Sequence, residues 1–165
     1  VRVLMDAVAS ETLEAKRLRI VAADASGTVT LRFNDHPVPT ERIVECEPLD
    51  AVLARDPEGL RTNGSLALGV ISRCRTLLGP SALDEAASEV RIALDAGDAD
   101  TLPAARARAA ELALHAAAAL TVADGGRAIV MDHHAQRLAR EALFLLVFGT
   151  RASIRDALLG RLTQP

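Results

Sequence analysis

The stretch Gly125–Thr150, GGRAIVMDHHAQRLAREALFLLVFGT, decides how the rest of the chain is read. It runs from a glycine pair through a short polar loop into an arginine-rich helix start, then an apolar run closed by Gly149-Thr150. The spacing predicts a helix from about His134 to Phe148. Its first half is amphipathic, with Arg137, Arg140 and Glu141 set against Leu138 and Ala142. Its second half, Leu143 to Phe148, is apolar on every face, and such a segment has to be covered on all sides. A central position in a core supplies that cover, and so does an oligomer interface.

Working outward, the same punctuation recurs on both sides. Asp56, Pro57 and Glu58 form a helix start, with Asp at the cap and Pro just inside. Leu60, Asn63, Gly64, Ala67, Ile71, Cys74 and Leu78 follow at helical spacing up to Gly79-Pro80. Ser81 opens the next helix with Asp84 in capping-box position, and Leu83, Ala86, Val90, Ala93 and Leu94 form its apolar stripe before Gly97. A third helix is expected from near Pro103 to about Asp124, rich in alanine and leucine, with Arg108, Glu111 and His115 on its wet face. A last one is expected from about Ala152 to Leu162. Short connections between these segments predict an antiparallel bundle.

The first part of the chain has a different period. Lys16 to Val21 and Thr28 to Phe33 flank Asp24-Ala25-Ser26-Gly27, which reads as a β-hairpin. In the second run Val29, Leu31 and Phe33 point one way and Thr28, Thr30 and Arg32 the other. Pro37-Val38-Pro39 ends regular sheet because proline donates no ladder hydrogen bond, and residues 45–57 read as a linker. The expected class is therefore α+β, mainly α: a β-segment over 1–48 followed by a helical bundle over 49–165.

Composition excludes several functions. Half of the 165 residues are hydrophobic, the formal charge is −3, and Phe33, Phe144 and Phe148 are the only aromatics. A chain with no basic excess and almost no stacking surface is not built to hold nucleic acid. Cys46 and Cys74, far apart, make no disulfide framework and point to a reducing cytoplasm. No apolar run is long enough for a bilayer span, and no signal peptide is visible. The chain opens on Val1, which fits a piece of a longer protein or a processed chain.

Taken together, these landmarks resemble the acyl-CoA dehydrogenase family. Residues 58–162 are similar to its C-terminal helical domain. Thr28 to Val44, with Leu31-Arg32-Phe33-Asn34-Asp35, Val38-Pro39 and Glu41-Arg42, is similar to the end of its middle β-domain. Gly125-Gly126, Gln136-Arg137-Leu138, Arg140-Glu141-Ala142 and Gly149-Thr150 follow in the family's order, and Arg61 to Gly69 resembles the small-residue helix lining its acyl pocket. The resemblance implies FAD as cofactor and an acyl-CoA substrate of fatty-acid or sterol catabolism, dehydrogenated between its α and β carbons. It also implies a homo- or hetero-oligomer assembled through the C-terminal helices. It assigns Gly125, Gly126, Gly149 and Thr150 to the cofactor, and Arg61, Gly64 and Gly69 to the substrate.

Two departures are visible. The family often has a catalytic glutamate before Gly-Thr, where this chain has Phe148; some members carry the base on the first long helix, where Glu58 stands one residue out of register. A glutamine usual three residues before the glycine pair is replaced by Val122, and Arg75-Thr76-Leu77-Leu78-Gly79 only partly echoes another FAD contact. The implied alternatives are a non-catalytic partner subunit of a heteromeric dehydrogenase and a helical interaction domain without flavin. The plainer readings stand beside these: Gly125-Gly126 as a helix C-cap, Glu58 as a first-turn acid favoured by the helix dipole, and Gly64 and Gly69 as close-packing positions. Asp132-His133-His134 reads as a polar loop rather than a metal site, Cys74 as core, and His115 as a surface partner of Glu111.

Overall fold

Helix boundaries in the computed structural model, which describes residues 1–6, 8–54 and 56–163, fall where the punctuation residues stand. The chain separates into two compact units, Val1–Ala54 and Arg55–Pro165. Among the described residues no helix is long and apolar enough to cross a membrane.

The first unit holds two two-stranded antiparallel sheets. Strand β1 (Arg2–Val3) pairs with β4 (Ile43–Glu45), and β2 (Leu13–Arg17) pairs with β3 (Val29–Phe33). The hairpin therefore exists, but its first strand lies upstream of the expected Lys16 to Val21. Leu13 faces Phe33 and Arg17 faces Val29 across the ladder, and Leu13 is fully buried whereas Leu18 and Val21 are exposed. One buried anchor has set the register, since a slip by one residue would turn it to the other face. The Asp24–Ser26 turn is a single 3₁₀ turn ended by Gly27 at φ 66°. Pro37 to Pro39 does end β3's sheet, yet a 3₁₀ turn (Thr40–Arg42) leads on into β4, and helix α1 (Leu49–Ala54) occupies the segment expected to be a linker. Leu13 is the only buried hydrophobic among this unit's described residues, and Val29, Leu31 and Phe33 stay exposed on β3.

The second unit is five packed helices, α2 (Asp56–Leu78), α3 (Leu83–Ala96), α4 (Leu102–Asp124), α5 (His134–Val147) and α6 (Ala152–Leu162), with a 3₁₀ turn (Gly125–Ile129) after α4. The cap read for Asp56 lies outside the described side chains. That for Ser81 is present: Asp84 accepts the Ser81 N–H at 2.9 Å and Ser81 Oγ accepts the Leu83 N–H at 3.4 Å. The Ser81 amide and the Arg75 guanidinium together hold the Asp84 carboxyl below the usual carboxylate range.

End-to-end contacts fix the helix directions. Arg75 near the end of α2 pairs with Asp84 at the start of α3. At the opposite end Arg61 donates through Nε to Leu94 O (3.0 Å) and through Nη2 to Gly97 O (2.9 Å), closing orphan carbonyls at the end of α3. These helices therefore run antiparallel. Arg106 near the start of α4 reaches Leu145 and Phe148 at the end of α5, and Arg161 at the end of α6 pairs with Glu111 on α4. Glu111 thus has a partner from another helix, which corrects the expected pairing with His115.

The two helix glycines of α2 divide sharply. A Cβ on Gly64 would stand 2.5 Å from Leu94 Cδ2, whereas one on Gly69 would meet nothing within 4 Å. Because Leu94 is buried, it has little room to yield. Gly64→Ala is expected to lower stability by about 1 kcal/mol, overpacking outweighing helix propensity. Gly69→Ala is expected to raise it by about 0.5–1 kcal/mol. Urea unfolding of both variants checks the opposite signs.

Candidate functional site

The first turns of α2 and the corner between α5 and α6 meet, although more than eighty residues separate them in sequence. Gly149, at φ 60°, lies so close to Asn63 that a Cβ there would stand 2.4 Å from Asn63 Nδ2. This corner follows from the end of α5: the Phe148 N–H donates to Phe144 O (2.9 Å), and the Thr150 N–H donates to Val147 O (3.3 Å). Phe148 stacks on Phe144 with ring centroids 4.8 Å apart.

Arg106 holds the same corner from beneath. Its Nη2 donates to Leu145 O at 2.9 Å and to Phe148 O at 3.4 Å, while Nε and Nη1 are buried without a partner. The residue is 1% exposed, and burial lowers the pKa of its guanidinium. A cation at a helix C-terminus, on carbonyls that have no intrahelical donor, is favourably placed. Arg106 escapes sequence reading because it lies in an alanine-rich run next to Arg108. Its one signal is phase: residues 102, 106, 109, 113, 116, 117 and 120 share the buried face of α4.

The residues singled out from the sequence do not form one cluster. Glu58 is exposed in the first turn of α2, and its carbonyl accepts the Thr62 hydroxyl at 2.9 Å. Arg61 is committed to the end of α3, and Gly64 is buried under Leu94 while Gly69 is exposed. Gly125 and Gly126 lie at one end of α5 and Gly149 and Thr150 at the other; its 14 residues span roughly 21 Å. Gly125 takes φ 60°, ψ −142° as the C-cap of α4, its N–H shared between Thr121 O and Val122 O. Gly126 faces open space, and Val122 is 81% exposed with no group able to hydrogen-bond a ligand. On α5, Gln136 Oε1 and Arg140 Nε are buried without a partner. The residues of one chain thus offer a flavin a glycine pair whose first N–H is already taken by α4 and no polar side chain at position 122, which is not a complete cradle.

Three of the better-formed cavities among the described residues are lined by none of these residues. One of about 310 Å³ in the first unit is lined by Leu4, Met5, Asp6, His36, Pro37 and Arg42 among others. One of about 420 Å³ lies among Ala93, Gly97, Thr101, Ala105, Arg108 and Arg161, with Arg108 paired to Glu89 and Arg161 to Glu111. The third, about 320 Å³, is at the α2–α3 corner beside Arg75, Gly79 and Asp84. Among the described residues no group of three His, Cys, Asp or Glu stands together as a metal site. No family model matches the chain, and no curated protein matches it in sequence.

Removing the Arg106 side chain leaves buried carbonyls unsatisfied and opens a void. Arg106→Ala is expected to lower stability by about 2–4 kcal/mol, measurable by chemical denaturation. Burial, and next the charge of Glu141, push the Cys74 thiol up to about 11, so it stays protonated at pH 8. Cys46 is exposed. A disulfide-exchange reagent at pH 8 is expected to titrate one thiol in the folded protein and both after unfolding; rapid reaction of both in the folded state would contradict the buried placement.

Proposed function

We propose that this chain is the C-terminal portion of an acyl-CoA dehydrogenase-like flavoprotein, with FAD-dependent α,β-dehydrogenation of an acyl-CoA thioester as the activity of the complete assembly. The observation that carries the reading is the meeting of Asn63 with Gly149. The resemblance offers two places for a catalytic base, one on the first long helix and one just before Gly-Thr. In this chain the helix bearing Glu58 and the corner bearing Phe148 are neighbours, as two alternative positions serving one substrate carbon have to be.

Three further features support it. The helices of the second unit are packed, and α2 with α3 and α4 with α5 run antiparallel, an arrangement compatible with the C-terminal helical domain that the resemblance implies. On α5, Leu143 is 52% and Val147 66% exposed; an oligomer neighbour gives that face the cover it needs. The exposed Val29, Leu31 and Phe33 face of β3 suits strands that end a larger β-domain. With the glycine landmarks at opposite ends of α5, the flavin grip is completed by other parts of the protein or by a neighbouring subunit.

A second reading has its own observation. Phe148 is packed on Phe144, so the position before Gly149-Thr150 is occupied by a stacked ring that takes no proton. This favours a partner subunit that completes a heteromeric dehydrogenase without supplying the base.

The test is reductive bleaching. On the enzyme reading, the complete gene product purifies yellow and its flavin bleaches when acyl-CoA is added, and Glu58→Gln slows bleaching by about 10²–10⁴-fold. On the partner reading, the chain co-purifies with a second dehydrogenase-like chain and Glu58→Gln leaves the rate of the complex unchanged. Absence of both flavin and thioester binding, alone or with a neighbouring gene product, overturns both.

A further inference from the structure

The segment that joins α4 to α5 places one histidine nitrogen between a donor and an acceptor. His133 is the N-cap of α5, at φ −79° and ψ 142°, and its Nδ1 accepts the Ala135 N–H at 3.4 Å. The same Nδ1 lies 3.5 Å from Oδ2 of Asp124, the last residue of α4. The backbone of His133 is held on both sides: its N–H donates to Val130 O (2.9 Å) and its carbonyl accepts the Arg137 N–H (3.1 Å). The backbone that carries the ring is therefore anchored, and the proton on Nδ1 decides which of the two contacts that nitrogen can make. An imidazole nitrogen accepts only while it has a free lone pair and donates only once it bears hydrogen. The two contacts exclude each other.

We propose that His133 is a proton-operated selector between two fastenings of the 125–133 segment. In the neutral ring Nδ1 accepts from Ala135 and closes the first turn of α5, one of whose first amides otherwise has no partner. In the protonated ring Nδ1–H donates to the Asp124 carboxylate, tying the end of α4 to the start of α5 by an ion pair and releasing the Ala135 amide. The side chains of His133 and Asp124 are 30% and 24% exposed, so solvent protons reach them while screening is incomplete.

The charged groups of each adjoining element define the balance. Asp124 on α4 favours the cation, and the N-terminal dipole of α5 opposes it. The other charged groups of these elements are Arg127 in the 3₁₀ turn, Asp132 and His134 beside His133 in sequence, and Arg137, which pairs with Glu141 at 3.7 Å. Histidine is the side chain that ordinarily changes charge between pH 5 and 8, which sets the range over which the test is made. What it controls is local: above the transition α5 is capped and the α4–α5 corner is untied, and below it the reverse holds. The inference is independent of any flavin.

Nitrogen-15 NMR on the whole chain between pH 5 and 8 tests it. The Ala135 amide is expected to shift with the same midpoint as the His133 ring, and its exchange, corrected for the intrinsic pH dependence, to quicken roughly 5-fold on protonation. Asp124→Asn is expected to lower the midpoint, because the carboxylate that receives the protonated ring is gone. His133→Asn, which retains a capping side chain, is expected to make the corrected Ala135 exchange independent of pH. An Ala135 amide that ignores the His133 titration overturns the proposal, as does an Asp124→Asn variant whose midpoint does not move; the wild-type titration decides even if a variant fails to fold.

Discussion

The second unit depends on how closely other helices can approach α4. That helix touches α2, α3, α5 and α6, and the residues it buries are mostly alanine: 105, 107, 109, 110, 113, 116 and 117, with Leu102 and Leu120 at the ends. Side chains one carbon long let neighbouring backbones come near, and the bulk that fills the gaps is supplied from outside by Ile71, Val90, Leu94, Leu138, Leu145, Ile154 and Leu158. Packing density then rests on partners fitted to a smooth cylinder rather than on mutual interdigitation of equal side chains. Gly64 continues the same design on α2, where the space a Cβ would need is taken by Leu94.

A helix of alanines offers few points of attachment, and the arginines provide them. Arg61 and Arg106 each fasten the carbonyl end of a neighbouring helix, and Arg75, Arg108 and Arg161 pair with carboxylates on another helix. The exposed pairs contribute little to stability. Arg106 differs because it is buried with two nitrogens unpartnered, a state that costs free energy and is retained where it fixes geometry. What it fixes is the α5–α6 corner, the place where the proposed reading sets one of its two base positions.

Much of the helical unit was legible from punctuation. Gly79-Pro80, Gly97 and Gly149-Thr150 stop helices, Ser81 with Asp84 starts one, and the apolar spacing of α2 and α3 marks the face that is buried. These signals are local, written within a turn of the place where they act. The hairpin was legible in its second strand, where Val29, Leu31 and Phe33 alternate with polar residues, and misplaced in its first. Lys16 to Val21 has β character, but the strand forms where Leu13 can be buried, and a contact at that distance leaves no mark in a short window. Helix α1 was hidden for a related reason: two prolines and several acids between 45 and 57 look like a linker, and six residues give too little periodicity to argue otherwise.

By itself the sequence determined the succession of the five helices α2 to α6, the second strand of the hairpin and the buried faces of α2, α3 and α5, because periodicity and caps are properties of neighbours along the chain. The tertiary structure decided that Asn63 and Gly149 touch, that Glu111 answers Arg161 rather than His115, and that Arg106, alone among the described arginines, is fully buried. Each of these joins helices far apart in sequence, and the choice among equally charged side chains on one helix is made by which neighbour packs against which face. The glycine landmarks were likewise close in reading order, but the 14 residues of α5, roughly 21 Å of helix, come between them.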